Sequence, residues 1–187
     1  MPVDTSQFKN GTIIEIEGEI YSVVWFQHHK PGKGGAVMRT KLRNLKSGST
    51  VERTFKSGEK FREVEMERKK KEFMYNDGKN YFFMDTKTYE QIAIPKEQLG
   101  EIAGFLKENT TVDALYLDGN YTGIELPANV ALKIVETVPG VKGDTVTNVM
   151  KEAGLETGAT IKVPLFIKEG DIVLVDTRTG EYVERVS

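Results

Sequence analysis

His28-His29-Lys30-Pro31-Gly32-Lys33-Gly34-Gly35 stands between two apolar stretches, Ile20-Tyr-Ser-Val-Val-Trp-Phe26 and Ala36-Val-Met-Arg-Thr-Lys-Leu-Arg-Asn-Leu45. The flanks are rich in β-branched and aromatic residues and read as strands. Proline removes a backbone donor and the three glycines free the chain, so the stretch between is a turn. Strand, turn and strand make a hairpin, and its tip presents Lys33 on a flexible cationic arm. Pro31 stiffens the entry, while Gly32, Gly34 and Gly35 leave no neighbouring side chain in the way. That geometry suits insertion into a crevice or attachment of a chemical group.

Working outward, the same grammar repeats. Gly11-Thr-Ile-Ile-Glu-Ile-Glu17 alternates, Gly18 turns, and a Lys46-Ser-Gly48 turn precedes Thr50–Phe55. Five strands in about sixty residues predict a small barrel over 1–62. A second unit over 63–127 takes Val64, Met66, Phe73 and Tyr75, the Asn76-Asp-Gly78 hairpin turn, Tyr81–Met84 and Tyr89–Ile94. Pro95 then opens the clearest helix, with Leu99, Ile102, Ala103 and Leu106 on one face and Asn109 as its stop. A third unit over 128–187 has strands at Val130–Val138, Thr160–Ile167, Asp171–Asp176 and Tyr182–Val186, and Val146–Leu155 reads as a short helix or irregular turn. The expected fold is all-β with one short helix: three small β-barrel domains, the last two five-stranded oligonucleotide-binding (OB) barrels.

Composition narrows the function classes. The net charge of −2 hides an asymmetry: residues 1–62 hold 11 Lys/Arg against 6 Asp/Glu, and 63–187 hold 15 against 22. A basic first third on an acidic remainder points to a polyanion contacted at one end, nucleic acid first among candidates. No apolar run approaches the ~18 residues that span a bilayer. The first residues show neither a basic nor an apolar leader segment, and cysteine is absent, so a cytoplasmic protein is expected.

Catalytic readings fail one by one. The two histidines are adjacent, and neighbours on a strand face opposite sides, which makes a poor metal pair. Pro31-Gly-Lys-Gly-Gly35 lacks the Ser or Thr that follows lysine in a phosphate loop. Arg68-Lys-Lys-Lys71 is the densest basic run, readable as a phosphate contact or as a solvated strand flanked by Glu67 and Glu72. Arg39, Lys41 and Arg43 alternate with apolar residues beside the Lys33 loop and are the better candidates for RNA backbone contact. Phe73, Tyr81, Phe82 and Phe83 could stack on bases, though core packing is the expected role of most of them, and Trp25 with Phe26 reads as core or loop support.

Several blocks together carry a family resemblance. Lys30-Pro-Gly-Lys-Gly34, Lys41-Leu-Arg-Asn-Leu45, Thr54-Phe-Lys56, Tyr75-Asn-Asp-Gly78, Phe83-Met-Asp85 with Tyr89-Glu-Gln91, Pro139-Gly-Val-Lys-Gly-Asp-Thr145, Val163-Pro-Leu-Phe166 and Val175–Tyr182 resemble bacterial elongation factor P, over essentially the whole chain. The resemblance implies a KOW-like (SH3-like) first barrel followed by two OB barrels, in an L shape like tRNA. It implies a monomer without cofactor, binding the 70S ribosome and its RNA beside the peptidyl-site tRNA and relieving stalling at consecutive prolines. Lys33 would be the loop tip and the target of a lysine-modifying enzyme. His29, Lys30, Pro31, Gly32, Gly34 and Gly35 would meet the tRNA acceptor end, and Lys142, Gly143, Asp144 and Thr145 would form a loop near the small subunit. Two alternatives remain open on the residues alone: a cold-shock-type single-stranded RNA binder, and an enzyme whose Lys33 forms a Schiff base.

Overall fold

The computed structural model describes residues 1–140 and 149–187. Its strands form three antiparallel sheets. The first has six: β1 (Pro2–Asp4), β2 (Ile13–Ile16), β3 (Glu19–His29), β4 (Val37–Asn44), β5 (Thr50–Lys56) and β6 (Lys60–Glu63), in the order β1-β6-β2-β3-β4-β5. The second comprises β7 (Met66–Asn76), β8 (Asn80–Asp85), β9 (Gln91–Pro95), β10 (Thr111–Leu117) and β11 (Asn120–Glu125), ordered β11-β10-β7-β8-β9. The third comprises β12 (Asn129–Thr137), β13 (Met150–Leu155), β14 (Thr160–Pro164), β15 (Ile172–Asp176) and β16 (Glu181–Arg185), ordered β14-β13-β12-β15-β16. Each sheet closes over its own apolar cluster, so the all-β, three-barrel expectation holds.

Alternation builds each wall. In β4, Met38, Thr40, Leu42 and Asn44 are buried while Arg39, Lys41 and Arg43 face water, the period of two that a half-buried strand requires. Beneath β4 lie Ile14, Val23, Met38 and Leu42, with Phe8, Phe55 and Phe61 packed edge to face or tilted at 4.7 to 6.5 Å between ring centres.

Bulges break the period in each of the three sheets, and two of them bear on exposed aromatic rings. On β3, Val23 pairs with Leu42 and Trp25 with Lys41, leaving Val24 extra; on β7, Phe73 pairs with Phe83 and Tyr75 with Phe82, leaving Met74 extra. One extra residue reverses the facing of everything after it. Trp25 and Tyr75, inward by simple alternation from Val23 and Phe73, are thereby turned outward. Of the two roles expected of Trp25 and Phe26, core or loop support, Trp25 at 41% exposed does not take the core one, and Phe26 packs inward against the first core.

Two local expectations change. The helix after Pro95 is one α turn, α1 (Lys96–Leu99), continued as a 3-10 segment (Gly100–Phe105), because Gly100 leaves helical geometry at φ 60°, ψ −138°. Its apolar residues still enter the core through Leu99, Ala103 and Leu106. The stretch 150–155, expected as helix or irregular turn, is strand β13: Lys151, Ala153 and Leu155 are buried in alternation and pair with β14. The rest of that expectation, 146–148, lies outside the described residues.

Two compact units contain these barrels. The first is Met1–Glu67 with Tyr116–Asn120, and the second is Arg68–Leu115 with Tyr121–Ser187. Inside the first, Arg62 bonds Glu15 at 2.6 Å and also Asp118, whose carboxylate accepts from the Glu65 N–H at 2.9 Å. That backbone bond and the Arg62 charge hold the Asp118 carboxyl below its usual range. Inside the second, Phe105 packs on the C-terminal core, Thr157 donates to the Gly104 carbonyl, and Lys107 meets Glu156 at 3.1 Å. Gly140 is required by close approach: a Cβ there would lie 2.5 Å from the Leu165 carbonyl oxygen.

Candidate functional site

The hairpin of β3 and β4 is paired up to His29 and Val37, and residues 30–36 cross between them. Ser57 N–H donates to the Ala36 carbonyl at 2.9 Å and ties the return limb to the barrel. Lys30, Gly32, Lys33, Gly34 and Gly35 are exposed, and Pro31 and Ala36 half-buried. Gly34 sits at φ +126°, a conformation other residues rarely adopt, whereas Gly32 and Gly35 have open space around them. So the loop needs Gly34 for its path, and the other two glycines keep the approach to Lys33 clear.

Behind the tip, three exposed cations stand on one face of β4. Arg39, Lys41 and Arg43 lie opposite Gln27, Trp25 and Ser22 on β3 and opposite Thr54, Glu52 and Thr50 on β5. Lys41 is held, with its ammonium 5.9 Å from the Trp25 ring centre and 3.4 Å from Glu52. Arg39 and Arg43 form no ion pair among the described residues, leaving both guanidiniums available to an anion. His29 is exposed at the end of β3, next to Lys30. The sequence singled out the cations but missed Trp25, and only the bulge at Val24 reveals that ring.

Three members of the basic run 68–71 are answered within the fold. Arg68 pairs with Glu125 at 3.4 Å and Lys70 with Asp113 at 2.8 Å, while Lys71 turns inward. Lys71 is 3% exposed and lies 3.3 Å from Asp85, which also accepts from the Thr88 and Lys87 N–H groups at 3.0 and 2.9 Å. Those two backbone bonds, then Lys71, depress the Asp85 carboxyl to about 2 against burial. Of the four aromatics weighed for stacking, Phe73, Tyr81 and Phe83 are core and Phe82 is not. A cavity of about 280 Å³ between the middle and C-terminal barrels is lined by Phe73, Tyr81, Lys107 and Glu156 among others, and none of the predicted site residues borders it. The expected loop residues Lys142, Gly143, Asp144 and Thr145 lie outside the described residues.

Fold and site together define a class: a protein of small β-barrels that presents a glycine-flanked lysine arm beside a cationic strand. Comparison with known proteins makes the class particular. Residues 4–61 match the KOW-like domain of elongation factor P, 66–124 its OB domain and 130–185 its C-terminal domain. Elongation factor P of Endomicrobium trichonymphae is 58% identical over 98% of this chain and 99% of its own, and that of Moorella thermoacetica 53% identical over the same shares. Among solved structures, eukaryotic translation initiation factor 5A from Methanococcus jannaschii superposes with a TM-score of 0.52 at 27% identity, covering 67% of this chain and 92% of that one. The chain belongs to the elongation factor P family of translation elongation factors. No helix among the described residues is long and apolar enough to cross a membrane.

Proposed function

We propose that this factor binds the ribosome beside the peptidyl-tRNA and promotes peptide-bond formation at consecutive prolines, with Lys33 ordering the acceptor end of that tRNA. The observation that carries the reading is the exposed Lys33 on a loop whose path needs Gly34, beside a strand offering Arg39 and Arg43 without ion pairs. Proline reacts slowly because its ring restricts geometry, so the remedy is position. An arm that holds the reacting end supplies position without acid or base groups, and the factor acts without being an enzyme. Arg39 and Arg43, with Lys41 fixed by Trp25 and Glu52, would grip RNA phosphates as charge-assisted donors, and His29, Lys30 and Pro31 would line the approach.

Translation of a consecutive-proline reporter tests this. Lys33→Ala should lose the factor's benefit on that reporter while leaving proline-free messages unchanged. Equal rescue by Lys33→Ala and the parent would overturn the arm mechanism. Peptide mass spectrometry of the factor from its native host then reads whether a modifying enzyme has extended Lys33.

A further inference from the structure

An exposed aromatic face lies on the middle barrel, far along the chain from Lys33. On the outer face of β8 and β9, rows of side chains follow the register: Asn80 with Pro95, then Tyr75–Phe82–Ala93, then Glu72–Met84–Gln91. Tyr75 and Phe82 lie nearly parallel, 4.6 Å between centres and 18° between planes. Tyr75 is 48% exposed, so this pair fills no core; the core of the same barrel is already packed by Phe73, Tyr81 and Phe83. Phe82 is half-buried, and its neighbour on β9 is the small, exposed Ala93.

We infer that this face is a stacking platform for an unpaired nucleobase of RNA. Four observations favour that occupant. Tyr75 owes its outward position beside Phe82 to the Met74 bulge, and bulges are the usual device for re-aiming a side chain. In the strand order β11-β10-β7-β8-β9, β8 and β9 are the second and third strands of an OB barrel, the pair whose face and adjoining first turn take oligonucleotides in that fold. That first turn, 76–80, is fixed by Asp77, which accepts from the Lys79 and Asn80 N–H groups at 2.9 and 2.7 Å. The other loop such barrels use carries Asp118, which Arg62 and Glu65 already engage.

Two lysines set where the phosphates of a stacked base would lie. At the turn end of the platform the exposed Lys79 and Lys96 are joined through their backbones, the Lys96 N–H donating to the Lys79 carbonyl at 2.9 Å. Neither forms an ion pair among the described residues; Asp77, two residues before Lys79, spends its carboxylate on the Lys79 and Asn80 N–H groups, and Glu97 follows Lys96 in the chain. The opposite end carries Glu72 and Glu90 with Lys87. A ligand with one flat apolar face and an anionic backbone on one side fits that polarity: the base on Phe82 and Tyr75, its phosphates toward Lys79 and Lys96. The turn between β8 and β9 adds Tyr89, 70% exposed and held at φ +61°, a strained place for a ring that the core does not use.

The inference takes RNA as the ligand class from the proposed function but does not depend on Lys33, and the test separates the two. Full-length protein is titrated with a 5′-labelled oligoadenylate of about eight nucleotides, and with its duplex, by fluorescence anisotropy. Single-strand binding is expected, with Tyr75→Leu and Phe82→Leu each weakening it by about 5- to 100-fold. Leucine keeps the apolar cover and removes the π face, and Tyr75→Phe should bind like the parent. Backbone amide shifts on binding should centre on residues 75–82. No measurable binding, equal binding by the leucine variants, duplex binding as tight as single-strand binding, or shifts confined to the first barrel would each overturn the platform.

Discussion

Lys33 and Lys71 are the same side chain put to opposite uses. Lys33 stands at a loop tip with its surroundings cleared by glycine, while Lys71 is 3% exposed and answered by one carboxylate at 3.3 Å. Taking an ammonium out of water is costly unless an opposite charge and hydrogen bonds meet it, so Lys71 is tied to Asp85 and to one geometry. A cation meant for a partner has to avoid that fate. The difference teaches that the lysine to examine for function is the one the fold leaves unanswered, rather than the one in the densest basic run.

The comparison can be broken most directly at Lys71. Lys71→Ala removes one member of a buried pair, and urea denaturation should show a loss of about 3 kcal/mol, the low end of the range for such a change. It stays at the low end because the carboxylate left behind keeps two backbone donors. Adding Asp85→Asn should recover part of that loss, and a Lys71→Ala protein as stable as the parent would place this lysine with the surface cations. Next in size is an acid response. Asp85 titrates near 3.8 when unfolded and about 2 when folded, so the unfolded chain takes up the proton first. Its contribution is therefore complete above about pH 4 and disappears as the pH falls through about 2. The urea midpoint of the parent should fall across that window more steeply than that of Asp85→Asn, and parallel curves would remove the depressed carboxyl from the account. Smallest is Lys33→Ala, for which thermal and urea midpoints should match the parent; a shift comparable to that of Lys71→Ala would mean the arm is packed.

Much of this was legible before any coordinates. The alternation Met38-Arg39-Thr40-Lys41-Leu42-Arg43 announces a strand with a cationic outer face, and β4 has that face. Asn76-Asp-Gly78 announces a tight turn, and the Asp77 carboxylate closes it. Other positions misled. The helix after Pro95 shows a helical spacing of apolar residues, yet Gly100 ends regular helix after four residues and a 3-10 segment carries Ala103 inward. The stretch 150–155 contains Lys-Glu-Ala, good helix formers, but pairing with β12 and β14 overrides propensity and makes it a strand. Propensity is worth tenths of a kcal/mol per residue, and a strand between two neighbours outweighs it.

From the sequence alone came the barrels, the hairpin and its lysine, because turn chemistry and a period of two are local properties of neighbouring residues. Tertiary structure decided what each strand shows to water. Whether the chain inserts one extra residue against its partner strand is a property of the pair, invisible in either strand by itself, and at Val24 and Met74 that single residue carries Trp25 and Tyr75 from the core face to the surface. Pairing likewise spread the run 68–71 over Glu125, Asp113 and Asp85, three acids from 14 to 57 positions away, and so turned an apparent binding patch into the framework of a barrel.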